Sequence, residues 1–396
     1  MNDIKLLKDV IEKPISGEWG VEGETVKVLR TTNFTNEGKL DFNNVVNRNV
    51  DEKKRATKRL VIGDIIIEKS GGSPKQPVGR VVIFEKEGEY LCNNFTSILR
   101  PKKNIIYPKY LLYFLFANHK YGFVNAFQNK TTGIINLKLI RYINEVKIPL
   151  PPLKEQKKIA AILDQADFVR KKIKAIIEKY DELAQSLFLD MFGDPVRNPK
   201  GWKIVTIREL VYEVKYGTSS KAVEGGKYKY LRMNNVTYKG YMDYTNLKYI
   251  DMSDEQKHKY IVRNGDVIFN RTNSKELVGK TGIIQTDEEQ IIAGYLIRVR
   301  TNELANPYYI WAHLNSRWAK LTLNNMCKNI VGMANINAQE LQKIKILKPP
   351  IKLQNQFEKS IKEIEKQKTQ AEASLQKSED LFNSLLQKAF KGELKK

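Results

Sequence analysis

Cysteine is nearly absent. Cys92 and Cys327 are the only two in 396 residues, and they fall in opposite halves of the chain, so a disulfide framework is excluded as the source of stability. Histidine occurs three times, at His119, His258 and His313. None has a cysteine or second histidine beside it, which removes the ligand spacing of a zinc site. No apolar run approaches the ~20 residues of a membrane span, and Met1-Asn2-Asp3-Ile4-Lys5 opens without the apolar stretch of a secretory signal. A cytoplasmic location is the expectation. Neither a Gly-x-Gly-x-x-Gly turn nor a Walker loop is present, so the usual phosphate cradles are missing. Acidic residues are also in short supply: 45 Asp and Glu face 68 Lys and Arg, a net charge of +23. Such an excess attracts polyanions, and nucleic acid is the polyanion it fits best.

What is present is a duplication. Leu29-Arg30-Thr31-Thr32-Asn33 returns as Leu231-Arg232-Met233-Asn234-Asn235, and Gly63-Asp64-Ile65-Ile66 returns as Gly265-Asp266-Val267-Ile268. Pro151-Pro152-Leu153-Lys154-Glu155-Gln156 returns as Pro349-Pro350-Ile351-Lys352-Leu353-Gln354. A period near half the chain length means two homologous modules rather than a solenoid. Each module has two parts. Residues 1–150 and 195–348 alternate short β-branched runs with Gly, Ser, Asn and Pro turns. One apolar helix interrupts each, beginning at Pro108 and Pro307, where proline suits the first helical position. Residues 151–194 and 349–396 read as long helices.

Along the first of these, apolar residues fall at Ile159, Ile162, Ala166, Val169, Ile173, Ile176, Tyr180, Leu183 and Leu187, in alternating steps of three and four. The second runs Phe357, Ile361, Ile364, Lys368, Ala371, Leu375, Ser378, Phe382, Leu385 and Ala389, with Lys368 and Ser378 as polar interruptions. Neither helix can bury its stripe alone, so the two are expected to pack on each other as a spacer of about 60 Å. A two-fold relation between the repeats would make the helices antiparallel. The expected fold is therefore α+β: two homologous mixed α/β domains and two long antiparallel helices forming a coiled coil with pseudo-two-fold symmetry.

Two near-motifs for chemistry fail against their repeat partners. Asn306-Pro307-Tyr308-Tyr309 is similar to the signature that grips a flipped adenine, but Tyr107-Pro108-Lys109-Tyr110 in the other copy is a plain helix start. Asp64 with Glu68 suggests a metal-dependent nuclease, yet Asn270 replaces the glutamate in the second copy and cannot supply that carboxylate. Asp64 and Asp266 read instead as turn-closing residues. No catalytic constellation and no metal ligand set emerges.

After each Gly-Asp strand comes a polar segment rich in donors. The first supplies Lys69, Ser73, Lys75, Gln76 and Arg80; the second supplies Arg271, Asn273, Ser274, Lys275 and Lys280. A further pair of segments supplies Lys130, Thr131 and Thr132 against Lys328 and Asn329. Arg and Lys suit guanine edges and phosphates, Asn and Gln suit adenine, and Ser and Thr suit either. These are the candidate residues for contact with double-stranded DNA. A solvated polar loop is the competing reading for each of them. Two modules with one frame and different loops would read two different half-sites, an asymmetric interrupted target.

The whole chain resembles the specificity subunits of Type I restriction–modification systems. The resemblance rests on Pro149-Leu150-Pro151-Pro152-Leu153-Lys154-Glu155-Gln156-Lys157-Lys158-Ile159, which is similar to that family's lead-in to its first conserved helix. It rests also on Leu183-Ala184-Gln185-Ser186-Leu187-Phe188, Met191-Phe192-Gly193-Asp194 and Gly201-Trp202, similar to its exit into the second target-recognition domain. The second copy departs at Lys348 and Leu353, and the first has no counterpart of Gly201-Trp202. The resemblance implies a non-catalytic DNA-recognition subunit that carries no cofactor. Two modification subunits would supply adenine methylation from S-adenosylmethionine, and ATP- and Mg-dependent restriction subunits would cut. It also implies that helix faces bearing Lys154, Glu155, Lys157, Lys158, Arg170 and Lys171 are partner surface. A specificity subunit of another methyltransferase assembly, Type IIB-like or phage-excluding, and a non-catalytic coiled-coil scaffold are the alternatives.

Overall fold

The computed structural model describes all residues except 1–2, 74–75, 132–133, 331–332, 392 and 395–396, and gives the backbone alone at 130–131 and 328–330. The chain divides into two units, residues 1–174 with 373–396 and residues 175–372. The division cuts through both long helices rather than falling at their ends. Each unit is one globule together with a part of each helix, because the stripe of a long helix finds its cover on the globule.

In the first unit, an antiparallel sheet orders strands Ile15–Ser16, Thr96–Leu99, Ile65–Glu68 and Val81–Ile83. A second sheet orders Val46–Asn49, Val21–Leu29 and Tyr90–Cys92, the last pair running parallel. The helix Pro108–Lys120 packs on the first sheet and buries Tyr110, Leu111, Tyr113 and Phe114. Ile159, Ala160 and Leu163 of the long helix Leu153–Phe192 join that core, as do Phe382, Leu386 and Ala389 of the long helix Ile351–Lys391. Burial of each large side chain here contributes about 1.5–3 kcal/mol. Strand Asp3–Leu6 pairs antiparallel with Lys147–Leu150, so the globule starts and ends on one ribbon beside the long helix.

The second unit repeats the plan. Strands Val211–Tyr216, Leu296–Thr301, Val267–Asn270 and Thr281–Ile283 form its main sheet. Lys203–Thr206 pairs with Lys345–Lys348 as the closing ribbon. Here Phe192 packs edge-on against Tyr309 and Phe357, with centroids 4.7 and 5.1 Å away. Gly193 ends the first long helix in the left-handed region, φ 81°. Trp202 of the exit motif then donates its indole N–H to the Phe192 carbonyl, 3.0 Å, satisfying a terminal helix acceptor.

In both units the helices run antiparallel: Arg170 meets Phe382 and Lys174 meets Glu379 in the first, while Asp181 meets Lys368 and Phe192 meets Phe357 in the second. Among seam residues, Ile159, Ile361 and Phe382 are buried, and Ile173, Leu187, Ile364, Leu375 and Leu385 are half-buried. Ile162, Val169, Ile176 and Leu183 are not in the seam: they are 39, 41, 45 and 49% exposed. The inward positions one residue on carry Leu163, Arg170, Ile177 and Ala184 instead. Arg170 is thus no surface residue; its guanidinium donates to Asp167 (2.5 Å) and lies over the Phe382 ring. Lys368, a polar interruption in the sequence, pairs with Asp181 of the other helix at 2.5 Å. A buried ion pair of this kind specifies register at some cost in stability.

The repeated glutamine explains why the Pro-Pro motif recurs. Gln156 is fully buried; its Oε1 accepts from Tyr107 N–H (2.8 Å), and its amide donates to the carbonyls of Ile105 (3.1 Å) and Pro151 (2.8 Å). Gln354 does the same with Asn306, Leu304 and Pro349. Each clamps the start of a short apolar helix to the start of a long one. Gln156→Leu leaves three buried backbone groups unsatisfied and is expected to cost about 2–4 kcal/mol, read as a lower urea midpoint. Among the described residues, no helix is long and apolar enough to cross a membrane.

Candidate nucleic-acid interface

Each globule gathers its two polar segments into one small sheet. In the first, Gln128–Thr131 and Ile134–Leu137 form a hairpin, and Ser70–Gly72 adds to it. In the second, Lys328–Ile330 and Met333–Asn335 form the hairpin, and Thr272–Asn273 adds to it. One side-chain bond crosses each sheet at the same place: Ser70 Oγ to Asn136 Oδ1 (2.5 Å) and Thr272 Oγ1 to Asn335 Oδ1 (2.8 Å). Segments some sixty residues apart thereby share one surface.

The candidate residues then sort into three groups. Lys69 and Arg271 stand at equivalent positions where the main sheet passes into the small one. The Lys69 ammonium donates to Ser16 Oγ (2.6 Å), and partial burial holds its pKa below the usual lysine value. The Arg271 guanidinium lies over the Tyr216 ring, 4.7 Å from its centroid. Lys275 is exposed, while Asn273 and Ser274 close a local turn in which Asn273 Oδ1 accepts from Ser274 N–H (2.9 Å). Ser73 and Gln76 are exposed and bonded to each other through their backbones.

Arg80 and Lys280 form the second group. Arg80 makes a two-pronged pair with buried Glu68, at 2.8 and 3.1 Å, and also donates to the Thr31 carbonyl. Lys280 is buried, donates to the Met233 carbonyl (2.8 Å), and is held below its usual pKa by burial. Both sit on the strand side of a tight turn, where an inward charge is satisfied by the fold. The third group lies outside the described residues: Lys75 and Thr132 altogether, and the side chains of Lys130, Thr131, Lys328 and Asn329.

Asp64 and Asp266 do close turns. Each accepts a backbone N–H three residues back (Val61 and Arg263, both 2.8 Å) and a two-pronged arginine, Arg100 or Arg300. Gly63 and Gly265, at φ 97° and 88°, supply the left-handed step just before. Asn306 is a helix cap, its Oδ1 accepting from Tyr308 N–H at 2.9 Å. Among the described residues, no group of three or more His, Cys, Asp or Glu is close enough to hold a metal ion.

Sequence reasoning missed four neighbours of Lys69 and Arg271. Ser16 and Tyr216 hold the two cations. Phe95 and Tyr295 are exposed aromatic residues whose carbonyls accept the N–H of Lys69 (2.9 Å) and Arg271 (3.0 Å). The available signal was an aromatic residue just before a strand at the same place in both repeats, Asn93-Asn94-Phe95 and Ala293-Gly294-Tyr295.

Paired loop-bearing globules on shared helices, basic overall and with cations held at the loops, define a two-module DNA-recognition protein. Residues 4–179 and 199–378 each match the profile described as Type I restriction modification DNA specificity domain. The chain is 28% identical over 401 residues to the Type I restriction enzyme EcoKI specificity subunit of Escherichia coli (strain K12), covering 94% of this chain and 83% of that protein. It is 25% identical to the Type I restriction enzyme StySPI specificity subunit of Salmonella potsdam, with the same coverage of both chains. Its fold is similar to a chain solved in work on complex assembly of the type I R-M system, TM-score 0.60 at 16% identity, covering 99% of this chain and 98% of that one. The S subunit from M. genitalium is similar too, TM-score 0.60 at 14% identity, covering 98% and 96%. The chain belongs to the Type I restriction–modification DNA specificity family and is a DNA-recognition specificity subunit.

Proposed function

We propose that this chain is the non-catalytic reader of a restriction–modification complex, and that its two globules read the two different halves of an asymmetric, interrupted duplex target. The observation that carries this is a shared frame with divergent contacts. The small sheets superpose in pairing and in their Ser70–Asn136 and Thr272–Asn335 bonds, while Lys69 faces Ser16 and Arg271 faces Tyr216. An invariant frame cannot tell one sequence from another; the residues mounted on it can.

Partner subunits supply the chemistry in this reading: two modification subunits that methylate adenine from S-adenosylmethionine, and restriction subunits driven by ATP and Mg. The exposed Ile162 and Val169 lie seven residues apart on the first unit's part of the first long helix, and a partner helix is the occupant they fit. This surface supports docking along the helix, beside the charged residues Lys154, Glu155, Lys157 and Lys158.

Exchanging residues 69–80 for the corresponding segment of another family member is expected to change one half of the methylated motif and leave the other half untouched. Single-molecule methylation sequencing reads both halves at once. A change in both halves together would contradict two independent readers. Methylation of the motif without any cleavage activity in the assembled complex would favour the other methyltransferase assemblies over a restriction system.

A further inference from the structure

We propose that Phe95 and Tyr295 are base-contacting residues, one for each globule, set beside a cation that holds the adjoining phosphate. The proposal rests on the DNA-reading function and names residues that it does not require. Phe95 is 46% exposed and Tyr295 54% exposed. An aromatic ring left half in water forgoes much of the stabilisation its burial would bring, and here a Phe and a Tyr do so at the same structural position. Each residue immediately precedes a main-sheet strand, Thr96–Leu99 or Leu296–Thr301.

The backbone beneath both rings is held in place. Thr96 N–H returns to the Asn93 carbonyl (3.0 Å) and Leu296 N–H to the Ala293 carbonyl (2.8 Å), closing a tight turn under each. Gly17 and Gly217 let the edge strand pass so near that a β-carbon would strike the Asn93 and Ala293 carbonyls. The aromatic carbonyl itself is tied to the cation-bearing residue: Phe95 accepts from both Lys69 (2.9 Å) and Ser70 (3.2 Å), and Tyr295 from Arg271 (3.0 Å). The Phe95 ring also lies over Gly71, 4.0 Å from where a β-carbon would stand, in the middle of the strand that joins the small sheet. Backbone bonds thereby tie each aromatic residue to the cation-bearing residue of its reading segment.

The chemistry of this arrangement suits duplex DNA. A fixed ammonium or guanidinium meets a phosphate, and the neighbouring ring meets a thymine methyl or wedges against a base step. An apolar protein surface would leave the adjacent cation unpaired. The two pairs also differ usefully: Phe95 with Lys69 offers an apolar edge, and Tyr295 with Arg271 adds a hydroxyl and a guanidinium. Their divergence gives each globule its own preference.

The test uses the full chain assembled with its modification subunits and two duplexes bearing the motif that the host methylates, with 2-aminopurine placed in one half or in the other. Phe95→Ala and Tyr295→Ala are each expected to weaken binding five- to hundred-fold, to change the fluorescence in one half only, and to leave the salt dependence as it was. Lys69→Ala and Arg271→Ala are expected to reduce the log–log salt slope by about one. Phe95→Leu, which keeps an apolar side chain of moderate size, guards against misfolding and should bind between wild type and Phe95→Ala with an unchanged melting temperature. Wild-type affinity in both alanine variants overturns the proposal while leaving DNA reading intact. Weaker subunit assembly with unchanged DNA binding overturns it in favour of protein docking. Failure of the wild-type complex to bind the motif would overturn the DNA reading itself.

Discussion

Replacing Glu68 by Gln is expected to destabilise the first globule by about 3–5 kcal/mol, because it leaves a buried guanidinium without its counter-charge. Glu68 is 4% exposed and is held by Arg80 through two hydrogen bonds. The second globule shows what the frame looks like without that pair. Asn270 replaces the glutamate, fully buried and with neither side-chain amide atom bonded, and Lys280 replaces the arginine. Lys320, close enough to feel the Lys280 charge, is pushed down to about 8, chiefly by burial and in smaller part by that charge. A buried cation without a carboxylate is the less stable version of the site. Asn270→Glu should therefore raise the stability of the second globule, and Asn270→Glu with Lys280→Arg should raise it further by recreating the first globule's pair. Urea denaturation followed by amide exchange localises each effect, since the two units need not unfold together. Equal stability of Glu68→Gln and wild type would show that the pair is closer to the surface than the structure places it.

The second large effect is a pH dependence that His313 gives the second globule. His313 is buried between Tyr309 and Trp318, with neither ring nitrogen in a hydrogen bond. Burial pushes its pKa down to about 3, outweighing the opposing effect of the Lys345 backbone. An unfolded histidine titrates near 6.5. The folded state thus refuses a proton that the unfolded state takes up, so the contribution is fully present above about pH 6.5. It is lost as pH falls toward the folded value of about 3, at about 1.4 kcal/mol per pH unit. Between pH 6.5 and 4.5 the wild type should lose about 2.3 kcal/mol through this residue alone. His313→Phe, which installs the residue found at the matching place, Phe114, should remove that slope. Three of the four tryptophans, Trp202, Trp311 and Trp318, lie in this unit, so fluorescence reports on it directly. Parallel wild-type and His313→Phe curves over this range would mean that His313 does not carry the acid sensitivity.

The duplication made much of this legible in the sequence alone. It exposed Asn306-Pro307-Tyr308-Tyr309 as a cap and Asp64 as a turn residue, because the partner copy lacked the supposed chemistry, and the hydrogen bonds of both residues agree. Both long helices were legible from their spacing. Which face of the first helix would be covered was not. Period alone says that Ile162, Val169, Ile176 and Leu183 share a face. It does not say that ion pairs at Asp167, Arg170 and Asp181 would occupy the inward side and leave those apolar residues out. The same blindness affected Arg80 and Lys280. A cation in a polar segment reads as a ligand contact until a buried Glu68 or the Met233 carbonyl is found within reach. Gln156 went unexplained for the opposite reason: its three partners are backbone groups, which leave no side-chain signature.

The central claim is that two divergent readers in this one chain define a split target. Mapping adenine methylation across the host genome, with the gene intact and with it deleted, tests that claim most directly. The account predicts a motif of two dissimilar blocks separated by a fixed gap, methylated in the presence of the gene and unmethylated without it. A single uninterrupted motif, a perfect palindrome, or methylation that survives deletion would contradict it.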